Sequence, residues 1–510
     1  MNIKTGNKQT CKNILLNMMA FGVQFFISFF VSPQVVGKVG STAYGFIGLA
    51  NDFVSYATIV TSVFNSVAAR FISNAFYKND YDDANSYYNS LIVANICIAG
   101  VLGVIGAVFV PNIARCLVIP EELIVDVQIT FALVFLSYII TVVTLAFTTA
   151  TFVTNRTDLE GVRNIISQFI RLAIVVVFLN FFTIKIYWVA FAALVSGIAL
   201  SLMNIGLTKK LTPELHIDLK QADVKYAMTL AASGGWMAFT QISNLLIRGL
   251  DLVITNVRIG NYEMGLLSIA RTMPNQITSI LGTLTPIFTP VFILYYSQKK
   301  EKDLIHNVKD SIRTMACIMF VPIMGYIVYS KEFYTLWQKS LSPDEIKVIT
   351  ILSTITVIQA FFNATTGTMA QLSLVTNKLK LPVFVSFGCG LLNIFVIFIL
   401  FKGTNLGVYA VVLSSTVIMV LRYVFFNSAY AAYVLGKPVT EFIGTAVSVW
   451  ICLPVLLVLM VAVKHFIPVN SWTSLFASAM ISAILGYAFM MLVYGRDKIQ
   501  KIFRKEEGKQ

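Results

Sequence analysis

Seven ionisable residues interrupt stretches that are otherwise apolar: Arg70, Arg171, Arg248, Arg271 and Arg422, with Asp52 and Asp251. Two share the segment NLLIRGLDLVI (244–254), where Arg248 and Asp251 stand three positions apart. A charge at the centre of a bilayer costs at least about 2.5–3.5 kcal/mol on insertion scales, so it normally faces a cavity or a partner. Arginine keeps its charge when buried, and its planar fork matches phosphate oxygens. The excess of arginine over aspartate therefore suits an anionic ligand. On this reading Arg248 binds phosphate, and Asp251 holds it in place or releases it on protonation.

Each charge also has a structural reading. Arg70 and Arg422 lie toward the cytoplasmic ends of their predicted spans, where arginine can snorkel to headgroups. Arg248 and Asp251 could neutralise each other across one helical turn. Arg271 is close enough to the outer end of its span to serve as an anchor. Arg171, in QFIRLAIVVVF, has no carboxylate nearby in sequence and is the hardest to explain as structure. Asp52 falls at a height comparable to Asp251.

Uncharged polar residues recur on the same segments. Asn51 and Asn65 belong to a stripe at helical spacing with Ser55, Thr58 and Ser62. Gln241 and Asn244 lie just before Arg248, and Gln359 and Asn363 lie on a later segment. Such stripes suit sugar hydroxyls, and they equally suit hydrogen bonds between helices.

The elements that position these residues are membrane spans. Of the 510 residues, 57% are hydrophobic and 12% charged, the latter about half the usual charge content of a soluble domain. Apolar runs of about 20 residues, enough to cross a bilayer, recur along the whole chain. Their length excludes barrel strands, so an all-α polytopic bundle is expected. Fourteen spans are predicted, near 13–33, 44–70, 86–110, 124–153, 163–183, 186–207, 228–257, 263–296, 312–330, 346–375, 381–401, 405–427, 441–463 and 472–494. The first run is too long for a signal-peptide core and reads as a permanent span.

An even span number puts both termini on one side. With that side cytoplasmic, roughly 25 basic residues fall inside and roughly 9 outside, as the positive-inside rule asks. The +14 net charge is then a topology signal and a match to anionic lipid, not to nucleic acid. The six cysteines are scattered without metal spacing, and the three histidines, His216, His306 and His465, read as connecting residues. No P-loop is present, so no cofactor is expected and energy would come from a gradient, with H+ or Na+ as the coupling candidates.

One repeat organises the chain. VGSTAYGFIGLAN (39–51) and IGNYEMGLLSIAR (259–271) share Gly, Gly and Ala at the same spacing and enter spans of like orientation. This predicts two pseudo-symmetric six-helix lobes around a central cavity, 1–210 and 211–437, followed by two further helices and a basic tail, 438–510. Span eight carries Pro274, Pro286 and Pro290, which should bend it.

Fourteen spans, the two halves, NSVAARFIS, and RGLDLVITNVRIGNYEMGLLSIARTMP together resemble the polysaccharide transporter (Wzx-type) flippases of the multidrug/oligosaccharidyl-lipid/polysaccharide exporter superfamily. The resemblance spans essentially the whole chain, though its motifs are diffuse. It implies a V-shaped fold that moves an undecaprenyl-diphosphate-linked oligosaccharide between leaflets of the bacterial cytoplasmic membrane, in O-antigen, capsule or exopolysaccharide synthesis. Expected partners are this polyprenyl-diphosphate-linked glycan, membrane lipids and polysaccharide-assembly proteins. The resemblance fixes no individual arginine.

Three other readings stay open. A cation-coupled multidrug antiporter would want a carboxylate-rich cavity, and only Asp52 and Asp251 favour it. A lipid II flippase would work in nearly the same way. A glycan polymerase would need a large outer loop, whereas the longest here, KEFYTLWQKSLSPDEIK, lacks histidine.

Overall fold

The structure, a computed structural model, describes residues 7–494. The basic tail, 496–510, assigned above to the cytoplasm, lies outside the described residues. Among those described, thirteen helices are long and apolar enough to cross a membrane, fourteen when a pair bent by 40° is counted as one. Spans one to seven are Asn7–Val39, Ser41–Tyr77, Tyr81–Phe109, Glu121–Val153, Thr157–Phe181, Tyr187–Leu211 and the bent pair Val224–Gly249 with Asp251–Arg258. Spans eight to fourteen are Asn261–Ser297, Glu301–Trp337, Pro343–Val375, Lys380–Gly403, Val408–Val434, Thr440–Phe466 and Trp472–Tyr494.

Many helices outrun the predicted apolar cores, because a helix continues into water where its backbone is capped. Span nine begins at Glu301, not near 312, with Glu301 and Asp303 in its first turn, where carboxylates favour the positive end of the helix dipole. His306 therefore lies on a helix rather than in a connection, and His465 falls in the last turn of span thirteen. Span ten opens with a full capping box, Ser342 and Glu345 each bonding the other's backbone N–H.

The internal repeat is carried by the backbone itself. Spans two and eight each start immediately after a glycine with positive φ, Gly40 at 86° and Gly260 at 158°. Spans two, four, eight, ten and twelve end in the same way, with a left-handed residue two positions past the helix: Asn79, Asn155, Lys299, Asn377 and Gly436. In each, two backbone N–H groups fold back on the last turn, as Asn79 N to Phe76 O and Asp80 N to Ala75 O at 3.1 Å show for the first. Gly40 and Gly260, Asn79 and Lys299, and Asn155 and Asn377 lie 220, 220 and 222 positions apart. The sequence holds the last correspondence too, as VTNR (153–156) and VTNK (375–378).

Packing divides the chain into two compact units. One runs to Ser268 and takes in Ser386–Gly390; the other comprises Ile269–Val385 and the chain from Leu391. Within the first unit span seven packs on span two: Gly234 lies against the Val63 carbonyl. The repeat glycines also meet within the first unit. A Cβ on Gly45 would lie 2.8 Å from Gly265 Cα, and one on Gly265 would lie 2.5 Å from Ser41 O. Small residues there allow the close helix approach that membrane packing rewards.

Side chains of two spans hold connections in the manner of a paired strand. Asn85 and Asn89 of span three bond the 6–7 connection in both directions: Asn85 donates to Glu214 O at 3.0 Å and accepts from His216 N at 3.0 Å, and Asn89 donates to His216 O at 3.1 Å and accepts from Asp218 N at 2.9 Å. Fully buried Asn256 of span seven does the same for Val118, at 2.8 and 3.0 Å.

In the second unit, span nine is the central column. Its Phe320, Met315 and Tyr329 sit in a core shared with spans ten, thirteen and fourteen. Span thirteen is pinned there by Lys464, which pairs with Glu332 at 2.8 Å and donates to Val328 O at 2.7 Å.

Candidate substrate-binding site

The first unit holds most of the candidate charges. Span seven changes at Leu245 to a π-helical turn, Leu245–Gly249, and resumes as an α-helix at Asp251. The wider turn releases backbone carbonyls, and the Tyr56 hydroxyl of span two donates to Gly249 O. Arg248 is half-buried on this turn and Asp251, 6% exposed, directly follows it. Gly48 of span two faces Leu252 and Ser268. Half-buried Asp52 lies one turn beyond Gly48 and one turn before Tyr56, which brings it to the level of the Arg248–Asp251 turn. Single-turn π segments inside α-helices are frequent at functional sites.

Arg171 is the fifteenth of the 25 residues in span five and half-buried. Tyr44 of span two is its electrostatic neighbour, and among the described residues no carboxylate or hydrogen bond engages it. Arg70 is exposed seven residues from the end of span two, its guanidinium 5.3 Å from the centre of the Phe71 ring.

The uncharged candidates divide. Asn65 is half-buried in a reciprocal amide pair with fully buried Asn95 of span three, at 2.8 and 3.2 Å. Asn51 is exposed and bonds its own helix at Ile47 O. Asn244 donates to Gln241 at 3.2 Å on the exposed side of span seven. The amide pair gives Asn65 a clear packing role. Asn65→Ala should cost about 0.6–1.7 kcal/mol of stability, the range for interhelical hydrogen bonds in membranes. A double-mutant cycle with Asn95→Ala in thermal unfolding should recover most of that as coupling energy.

In the second unit, Arg271 is half-buried eleven residues into span eight. Arg422 is fifteenth of the 27 residues in span twelve, half-buried at the start of a second π-helical segment, Arg422–Asn427. The helix passes through the π segment and ends at Val434, twelve residues beyond Arg422. Gln359 is 4% exposed and donates to Thr356 O at 3.0 Å, while Asn363 is half-buried. Pro274 lies inside the continuous α-helix Asn261–Leu284, and Pro286 falls in a 3-10 turn at Thr285–Phe288, after which the span resumes as an α-helix at Thr289.

One arginine escaped the sequence reading. Arg163 sits in the second turn of span five and is only 6% exposed, with bonds to Asn204 and to Leu159 O. Its apparent place at the edge of an apolar run hid it, since the helix starts six residues earlier, at Thr157.

Residues 43–337 match the family described as "Polysaccharide biosynthesis protein", more than half of the chain. The chain belongs to that family. This polysaccharide biosynthesis protein is 24% identical to the membrane protein EpsK of Bacillus subtilis (strain 168), over 97% of its own length and 98% of EpsK. Its fold is similar to that of the lipid II flippase MurJ in an inward closed conformation, at a TM-score of 0.68 and 15% identity, covering 95% of this chain and 100% of that one. It is also similar to an inward-facing multidrug resistance transporter of the MATE family, MOP superfamily, at 0.67 and 12% identity, covering 83% and 98%. At these identities the likeness is one of fold: a polytopic helical bundle shared with both structures.

Proposed function

We propose that the protein carries a polyprenyl-diphosphate-linked oligosaccharide from the inner to the outer leaflet of a bacterial cytoplasmic membrane by alternating access, with both termini cytoplasmic. Arg171 carries this reading. A cation in the middle of a span, engaged by no carboxylate among the described residues, is costly unless an anion visits it. The diphosphate is such an anion, and the arginine fork suits it. Within the same unit Arg248 is a further cation for the diphosphate, and Asp52 and Asp251 balance charge or take up the coupling ion; Arg271 and Arg422 are the corresponding candidates of the second unit. Exposed amides such as Asn51 and Asn244 are available to sugar hydroxyls. The match to the polysaccharide biosynthesis family and the likeness to a lipid II flippase support a lipid-linked glycan as cargo.

The test is complementation. Expressed in a bacterial strain that lacks its own O-antigen flippase, the wild-type protein should restore surface glycan. No recovery, together with efflux of cationic dyes that is lost in Asp251→Ala, would replace this reading with that of a drug antiporter.

A further inference from the structure

A cavity of about 520 Å³ opens in the second unit where spans eight and twelve end and span nine begins. Its wall holds Tyr295, Tyr296, Ser297 and Lys299, and its floor is apolar, from fully buried Leu304 to Val434 and Leu435. Two more lysines edge it: Lys437, paired with the lining carboxylate of Glu301 at 2.8 Å, and Lys378, whose ammonium donates to Val434 O at 3.4 Å. That pairing offsets the only acidic group in the lining, so Lys299 sets the sign of the cavity. Among the described residues, no hydrogen bond engages the hydroxyl of Tyr295 or Tyr296.

Lys299 is also anomalous in its backbone. Of the five hairpins with a left-handed residue after an even-numbered span, three use asparagine and one glycine, residues that tolerate this conformation. Lys299 alone, at φ 56°, is a long-chain residue held there, and it lines this cavity. A strained backbone kept at one of five equivalent turns points to a use for that side chain.

We propose that this cavity binds the phosphate-bearing headgroup of a lipid. The ammonium of Lys299 meets the phosphate, the tyrosine hydroxyls donate to its oxygens or to headgroup hydroxyls, and the apolar floor takes the first carbons of the chain. Basic and aromatic residues at the ends of spans lie at headgroup depth, and this rim has both. The lipid comes either from the bulk membrane or from the polyprenyl carrier, and the phosphate chemistry is common to the two. The site does not depend on the transport reading.

Delipidated full-length protein would be titrated with phosphatidylglycerol, phosphatidylcholine and undecaprenyl phosphate and its bound lipid counted by native mass spectrometry. At least one of the two anionic lipids should be retained about tenfold more than phosphatidylcholine, and whichever is preferred names the source. Lys299→Asn should cut that retention about fivefold, the effect of one lysine at a lipid surface. It should unfold at the same temperature or higher, since asparagine relieves the turn. Lys210→Gln, an exposed cation at the end of span six, should leave retention unchanged. Equal retention of phosphatidylcholine, no loss in Lys299→Asn, or the same loss in Lys210→Gln would overturn the proposal.

Discussion

Arg171→Ala should reduce glycan export in the complementation assay by about 10- to 100-fold at matched membrane abundance, the worth of a charged hydrogen bond to phosphate of about 1.5–3 kcal/mol. The same substitution should leave thermal stability unchanged or raise it. Removing an arginine from the middle of a span returns part of the roughly 2.5–3.5 kcal/mol insertion cost. No ion pair is broken, because none engages Arg171 among the described residues. These opposite signs are the diagnostic. A residue that only held helices together would lower both quantities at once. Arg171→Lys keeps the charge but loses the fork, so it should fall between alanine and wild type. Full export by Arg171→Ala would remove the observation on which the proposed function rests.

What the sequence revealed follows from what physics writes into it locally. A span must be apolar for about 20 residues, and all fourteen predicted spans have a counterpart in the structure. Helix ends are written more faintly, because capping residues and polar helical turns look like loops. Polar turns therefore carry span nine eleven residues before its expected start and hide the place of Arg163 in the second turn of span five. The repeat at 39–51 and 259–271 was visible because its glycines are spaced by a close crossing, Gly45 against Gly265. The π-helical turns that carry Arg248 and Arg422 left no local signal. Neither did the asparagine clamps at Asn85, Asn89 and Asn256, since their partners are backbone groups over 120 residues away.

Gly234→Ala should destabilise the protein by about 1–3 kcal/mol, the usual cost of overpacking, while Gly235→Ala next to it should be neutral or mildly stabilising. The two positions share a helix, a composition and a depth. They differ in what a methyl group would meet. At Gly234 it would overlap the backbone carbonyl of Val63 on span two, which cannot rotate away; at Gly235 nothing lies within 4 Å. At the second site the only change is the loss of glycine's extra chain entropy, worth about 0.5–1 kcal/mol in favour of alanine. Thermal unfolding of both variants in the same lipid would read the contrast directly. The consequence reaches the charged turn as well. Prising span seven from span two at Gly234 also strains the bond from Tyr56 to Gly249 O, which sets the level of Asp52 against Arg248 and Asp251. Gly234→Ala should therefore lose export beyond what its lower abundance explains. Equal stability of the two variants would mean that spans two and seven separate freely, and that the charged turn is positioned by something other than their contact.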